Sequence, residues 1–203
     1  GWLANNIKTP DAKTVWQVQG NRTLTPENPV MLVWNNGQGL VFKQKISLDD
    51  QFMFSIEQSV DNRSGQDITL YPYGLVAQNG KPADLQKAFI LHEGPIGYIG
   101  SELEEVNYKD IGKKKRIEKT SDQGWIGFTE KYWFAGIVPV QGEETKFRFT
   151  ANAGVDKTLY QTDVMGAQRV VAAGESASVT SHFFAGPKKV RLLDRYEHQL
   201  NVP

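Results

Sequence analysis

The stretch Gln51–Val60, QFMFSIEQSV, alternates. Phe52, Phe54, Ile56 and Val60 are apolar, and polar Ser55, Glu57 and Ser59 stand between most of them. A period of two lines the apolar set along one face of an extended chain, which predicts a half-buried antiparallel strand. SASVTSHFF repeats the pattern with Ala177, Val179 and Phe183, and KFRFTA places Phe147 and Phe149 on one face with charges on the other. Turn signals separate the runs. NNGQG (Asn35–Gly39) is a hairpin candidate, because Asn-Gly tolerates the positive φ of primed turns. DNRSGQD (Asp61–Asp67), QNGKP (Gln78–Pro82), VQGEE (Val140–Glu144) and AAGES (Ala172–Ser176) serve alike. Many short strands with regular turns predict an all-β sandwich or barrel. No repeat, low-complexity stretch or linker divides the chain.

Helix is scarce by the same reading. PADLQKAFIL holds at most a short turn near Ala83 to Ala88. The clear case is GPKKVRLLDRYEHQL, where Pro187 suits a first helical position and Val190, Leu193 and Leu200 share a face, with Tyr196 beside them. Pro203 is expected to stop or redirect this helix.

Composition narrows the function. The chain has 203 residues, enough for a sizeable core without staples, with 39% hydrophobic and 23% charged residues. Lys plus Arg equal Asp plus Glu, so no global field draws it to nucleic acid. The absence of cysteine excludes a disulfide framework, a thiolate nucleophile and any Cys-ligated metal, and it fits both an oxidising space and the cytosol. No signal peptide is expected, since Gly1-Trp2-Leu3 opens into polar residues, and the longest apolar run, Trp133 to Val140, is too short to span a bilayer.

GWIGFTEKYWFAGIVP (Gly124–Pro139) concentrates the aromatics Trp125, Phe128, Tyr132, Trp133 and Phe134. Such density suits a sugar platform, a nucleic-acid stacking surface, a membrane-docking face or a core strand. A stacking surface needs a basic groove, and only Lys131 is basic here. The preferred reading is a single core or cleft-lining strand, with Trp125, Phe128, Tyr132 and Trp133 in core or cleft, and with Gly124 and Gly127 marking a bulge or a close backbone approach. His92, His182 and His198 lie in separate segments without metal-ligand spacing. His92 beside Glu93 could run proton transfer in a cleft, but sequence neighbours point apart, and LHEGPIGYIG reads first as a shaped turn without a phosphate-loop Lys. NYKDIGKKKRIEK carries Lys109, Lys113, Lys114, Lys115, Arg116 and Lys119. It reads as a patch for anionic lipid or an acidic partner, or, preferred, as an exposed loop or a strand edge protected by lysines.

Three stretches together resemble one family. WNNGQGLVFKQKISLDDQFMFSI (Trp34–Ile56), then LHEGPIGYIG (Leu91–Gly100) followed by GWIGFTEKYWFAGIVP, and finally FFAGPKKVRLLDRY (Phe183–Tyr196), occur in the order found in the large periplasmic domain of YidC-type (YidC/Oxa/Alb) membrane protein insertases. The resemblance covers most of the chain. It implies a galactose-mutarotase-like β-supersandwich over residues 1–186, lacking its first strands, and a C-terminal helix over 187–203 leading toward the membrane. It implies no enzymatic activity and no cofactor or metal. The place it implies is the periplasmic face of the bacterial inner membrane. The implied role is to assist insertion and folding of nascent inner-membrane proteins by protein contact. Implied partners are the insertase's own membrane domain, the Sec translocon, the SecD/SecF complex and anionic lipid head groups, with no nucleic acid. Docking is assigned to Phe183, Phe184, Pro187, Lys188, Lys189, Arg191, Arg195 and Tyr196. The alternative is a carbohydrate-binding or sugar-epimerase-like domain, which would need an acid and a base facing each other across a cleft.

Overall fold

The computed structural model describes residues 1–82, 92–200 and 202, and it turns the alternating segments into antiparallel strands. The helical turn expected near Ala83 to Ala88 lies outside the described residues, as does Pro203. The chain runs through β1 (Trp2–Leu3), β2 (Gln17–Gln19), β3 (Val30–Asn35), β4 (Leu40–Leu48), β5 (Met53–Asn62) and β6 (Ile68–Asn79). It continues through β7 (Gly94–Ile99), β8 (Glu102–Glu105), helix α1 (Tyr108–Lys114), β9 (Arg116–Ser121), β10 (Gly124–Thr129) and β11 (Trp133–Val138). It closes with β12 (Thr145–Ala153), β13 (Thr158–Met165), β14 (Arg169–Val171), β15 (Ser176–Pro187) and helix α2 (Val190–Leu200). All-β class and terminal helix are as the sequence predicts.

Two compact units share these elements, and β6 and β15 each contribute residues to both. The first unit comprises Gly1–Tyr73 and Gly166–Phe183. Strands β2 to β5 form an antiparallel meander with β15 beside β5, while β1 and β14 pair with β6. Trp2, Leu40, Phe42, Val60, Leu70 and Val171 are among its buried apolar side chains. The NNGQG turn joins β3 to β4, and Gly37 and Gly39 take the positive φ expected there. The opening stretch is displaced from its expectation at one residue. Asp49 Oδ1 accepts from the Gln51 and Met53 amides, which turns the chain at Phe52. Phe52 therefore has φ 99° and is exposed, and Met53 is buried in its place.

Asn62 knots the end of β5. Its Nδ2 donates to the carbonyls of Gln66, Val171 and Ala172, and its Oδ1 accepts from the amide and hydroxyl of Ser64. Replacing it with alanine orphans these buried groups. We expect Asn62→Ala to cost about 2–3 kcal/mol in urea unfolding, and a change within error would show that the knot is not formed.

The second unit comprises Gly74–Met165 and Phe184–Pro203. One sheet runs β8-β7-β10-β11, with the end of β15 beside β11; the other runs β9-β12-β13, with the end of β6 beside β13. Phe147, Phe149 and Ala151 are buried along one face of β12, as the KFRFTA alternation predicts. They meet the other sheet so closely that a Cβ on Gly97 would stand 3.4 Å from the Phe149 ring.

The basic segment holds a helix the sequence reading missed. In α1, Tyr108 and Ile111 are one turn apart and both buried, and the Ile111 carbonyl accepts the Lys115 amide. Its lysines precede β9, which lies at the edge of its sheet. At the end of the chain, α2 starts later than expected. Pro187 is the last residue of β15, not a first helical residue, because the Lys188 amide is still donated to Tyr132 O at 2.9 Å. The buried face of α2 is Leu192 and Tyr196, four residues apart, while Val190 is 72% exposed.

Candidate functional site

The aromatic stretch folds as a hairpin, not as one strand. The Glu130 amide donates to Trp133 O at 2.9 Å, and β10 and β11 then pair Gly127 with Gly136. A Cβ on Gly127 would lie 2.0 Å from Ala135 O, so glycine is required where the two backbones meet. The expected close approach is thus real. Gly124 has φ 139°, and a Cβ there would strike Tyr98 O.

From this hairpin a ladder of rings leads to α2. Trp125 meets Phe134 edge-on at 5.2 Å, Phe134 stacks on Phe184 at 5.8 Å, and Phe184 meets Tyr196 at 5.8 Å. The ladder anchors the terminal helix on the strands of its own unit. Beside it opens a cleft of about 350 Å³, lined by Val76 and Gln78 of β6, Phe128, Trp133 and Phe134 of the hairpin, and Ala185 of β15.

The polar edge of the cleft is a short chain of hydrogen bonds. Tyr108 OH donates to Gln78 Oε1 at 2.6 Å, and Gln78 Nε2 donates to Glu130 Oε1 at 3.3 Å. Burial, reinforced by Glu130, pushes the Tyr108 phenol above its ordinary range, so it stays a neutral donor. One carboxylate held by an amide is a positioning group, not an opposed acid and base. His92 is also occupied, its Nε2 lying 3.0 Å from Pro95 O. The arrangement suits an apolar or extended segment laid along the trough, with Gln78 and Glu130 as polar handles.

The residues expected at the site scatter. Phe128 is buried and lines the cleft; Trp133 lines it too and is 57% exposed; Trp125 is half-buried in the ring ladder. Tyr132 lines neither core nor cleft. It is 65% exposed, because a turn residue has no opposite strand to cover it. Phe183 belongs to the first unit, against Phe54 at 6.0 Å, whereas Phe184 and Tyr196 belong to the second. Lys188 Nζ donates to Thr129 Oγ1 at 3.1 Å; burial holds its pKa below the ordinary lysine range, and the nearby Glu93 charge opposes the shift. Pro187 is half-buried, whereas Lys189, Arg191 and Arg195 are exposed. Gln78 and Glu130 escaped sequence reading, since nothing in either segment marks them as neighbours.

The fold belongs to the galactose-mutarotase-like sandwiches. A galactose mutarotase related enzyme from Lactobacillus acidophilus matches with TM-score 0.58 over 85% of this chain and 71% of its own, at 7% identity. A GH36 alpha-galactosidase from Geobacillus stearothermophilus matches with TM-score 0.59 over 98% of this chain and 31% of its own, at 10% identity. A family model described as YidC periplasmic domain matches residues 1–202, and the chain belongs to that family. Curated relatives are the membrane protein insertases YidC of Ruegeria sp., 42% identical over 93% of this chain, and of Jannaschia sp., 38% identical over 98%. The chain spans about a third of their length, 32% and 33%. No helix among the described residues is long and apolar enough to cross a membrane.

Proposed function

We propose that this domain works without catalysis, by protein contact, on the periplasmic face of the inner membrane, where it assists the insertion and folding of inner-membrane proteins. Family membership supports this reading. In it, residues 1–186 form the body and 187–203 the segment leading toward the membrane. The observation that carries it is the two-faced terminal helix. Leu192 and Tyr196 are buried, and Arg191 and Arg195 are exposed with Lys189 just before them. A helix fixed on one side, whose exposed side presents Arg191 and Arg195 together with Asp194 and Glu197, offers charged handles of both signs to a protein partner. Its candidate partners are the insertase's own membrane domain and the Sec translocon with SecD/SecF.

The test is photocrosslinking in cells from positions 191 and 195 of the full-length insertase. We expect crosslinks to its membrane helices or to Sec accessory subunits, lost in a Lys189→Glu, Arg191→Glu, Arg195→Glu variant. No crosslink from either position overturns the docking role. The carbohydrate reading draws on fold likeness at 7–10% identity, which carries no activity, on the aromatic density and on the His92/Glu93 pair, in which His92 Nε2 is engaged with Pro95 O.

A further inference from the structure

One end of the second unit gathers exposed apolar tips and a run of exposed lysines. A chain of bonds joins its parts. Tyr132 O holds the Lys188 amide at the hairpin turn, and the adjacent Glu130 holds Gln78 of β6. Gln78 in turn holds Tyr108, the first residue of α1. Two residues beyond Gln78, the Gly80 amide donates to Thr158 O at 2.9 Å, where the β12–β13 turn returns. The tip of that turn is Val155, 100% exposed. The Lys115 carbonyl, at the end of α1, accepts the Ala151 amide of β12. So the β10–β11 turn with Tyr132 and Trp133, the β12–β13 turn with Val155, and the α1 lysines stand together.

Two features make this end unusual for an aqueous surface. Tyr132 and Trp133 each carry a large ring with a polar handle, the side chains that settle at a bilayer's head-group level. At the same end Lys113, Lys114 and Lys115 are exposed, and among the described residues none of the three forms an ion pair. Among the described residues Asp110, Asp156, Glu105 and Glu118 are exposed carboxylates on the same or adjoining elements, and Glu118 is taken up by Arg116. In a chain of zero formal net charge, this clustering is local.

We propose that this end is a second membrane-docking surface. Tyr132, Trp133 and Val155 enter the head-group layer of an anionic bilayer, and Lys113, Lys114 and Lys115 meet its phosphates. The combination of shallow apolar insertion with lysines is what holds interfacial proteins reversibly. The proposal rests on the reading that the domain is held at a membrane, and it is independent of the exposed arginines of α2.

The test is flotation of the whole chain with vesicles of phosphatidylglycerol and phosphatidylcholine, against phosphatidylcholine alone. Binding is expected only to the anionic vesicles, and it should weaken with salt. The triple variant Lys113→Gln, Lys114→Gln, Lys115→Gln should lose roughly a hundredfold in affinity. Val155→Asp, at a fully exposed position that folding does not need, should lose about tenfold, and Tyr132→Ser about as much. Quenching of tryptophan emission by brominated lipid should fall in Trp133→Phe. No binding to anionic vesicles, or equal binding by the lysine and tip variants, overturns the proposal. If the α2 variant alone abolishes vesicle binding, the bilayer contact belongs to α2; this proposal then falls while the docking role of the helix stands. If crosslinks from α2 fail but vesicle binding depends on Lys113 to Lys115, the reverse holds. Loss of a crosslink to an acidic protein in the lysine variant, with vesicle binding unchanged, overturns the lipid surface in favour of a protein one.

Discussion

Gly127→Val is expected to destabilise the domain by at least about 3 kcal/mol and to lower its midpoint of thermal unfolding by roughly 10 °C. The cause is steric and local. The new Cβ would lie 2.0 Å from Ala135 O and 2.6 Å from the Gly136 Cα, both backbone atoms that cannot swing away. Relief would require the two strands to part, which would break the Gly127–Gly136 register and move Phe134 out of the ring ladder. Gly112→Ala is the control. It sits in α1 with open space around its Cα and no positive φ, so alanine should stabilise by up to about 1 kcal/mol. A Gly127→Val domain that melts with the parent would show that the hairpin does not pair in this register.

Asp163→Ala is expected to cost about 3–5 kcal/mol. Asp163 is 1% exposed on β13, directly across from Arg148 on β12. Arg148 Nε donates to its Oδ1 at 2.5 Å, and Gln161 Nε2 donates to its Oδ2 at 2.9 Å. Removing the carboxylate leaves a guanidinium, itself largely buried, without its counter-charge. Removing both charges is far milder, so Arg148→Met in the Asp163→Ala background should recover a large part of the loss. Urea unfolding of the four members of this cycle measures the coupling. Additive losses would show that the pair is not linked as the geometry has it.

Local alternation was legible because it is written in adjacent residues. Phe147, Phe149 and Ala151 lie two apart and all are buried. The β10–β11 turn was not legible, because Glu130, Lys131 and Tyr132 include no Gly, Pro or Asn, and an unbroken aromatic run reads as one strand. Helix α1 was hidden by its own charges and by Gly112 in its middle; the only signal was Tyr108 and Ile111, three apart. In α2 the reading places Val190, Leu193 and Leu200 on one face with Tyr196 beside them; Tyr196, which meets the Phe184 ring, is buried as part of that face, and Leu192 joins it while Val190 is exposed. The cleft was the least legible part. Gln78 and Glu130 are separated by 52 positions, and only the sheet topology makes them neighbours.

The continuity of β15 with the terminal helix has a mechanical consequence. A tug on α2 directed along β15 is not met by one hydrogen bond at a time, as in a zipper. Within the second unit it loads the ladder between the end of β15 and β11 in shear, so the bonds of that ladder must fail together before the strand slides. Only two residues, Lys188 and Lys189, separate strand from helix, and they add little slack. Force arriving through the helix is thus passed into the strand as into a rod rather than absorbed in a tether.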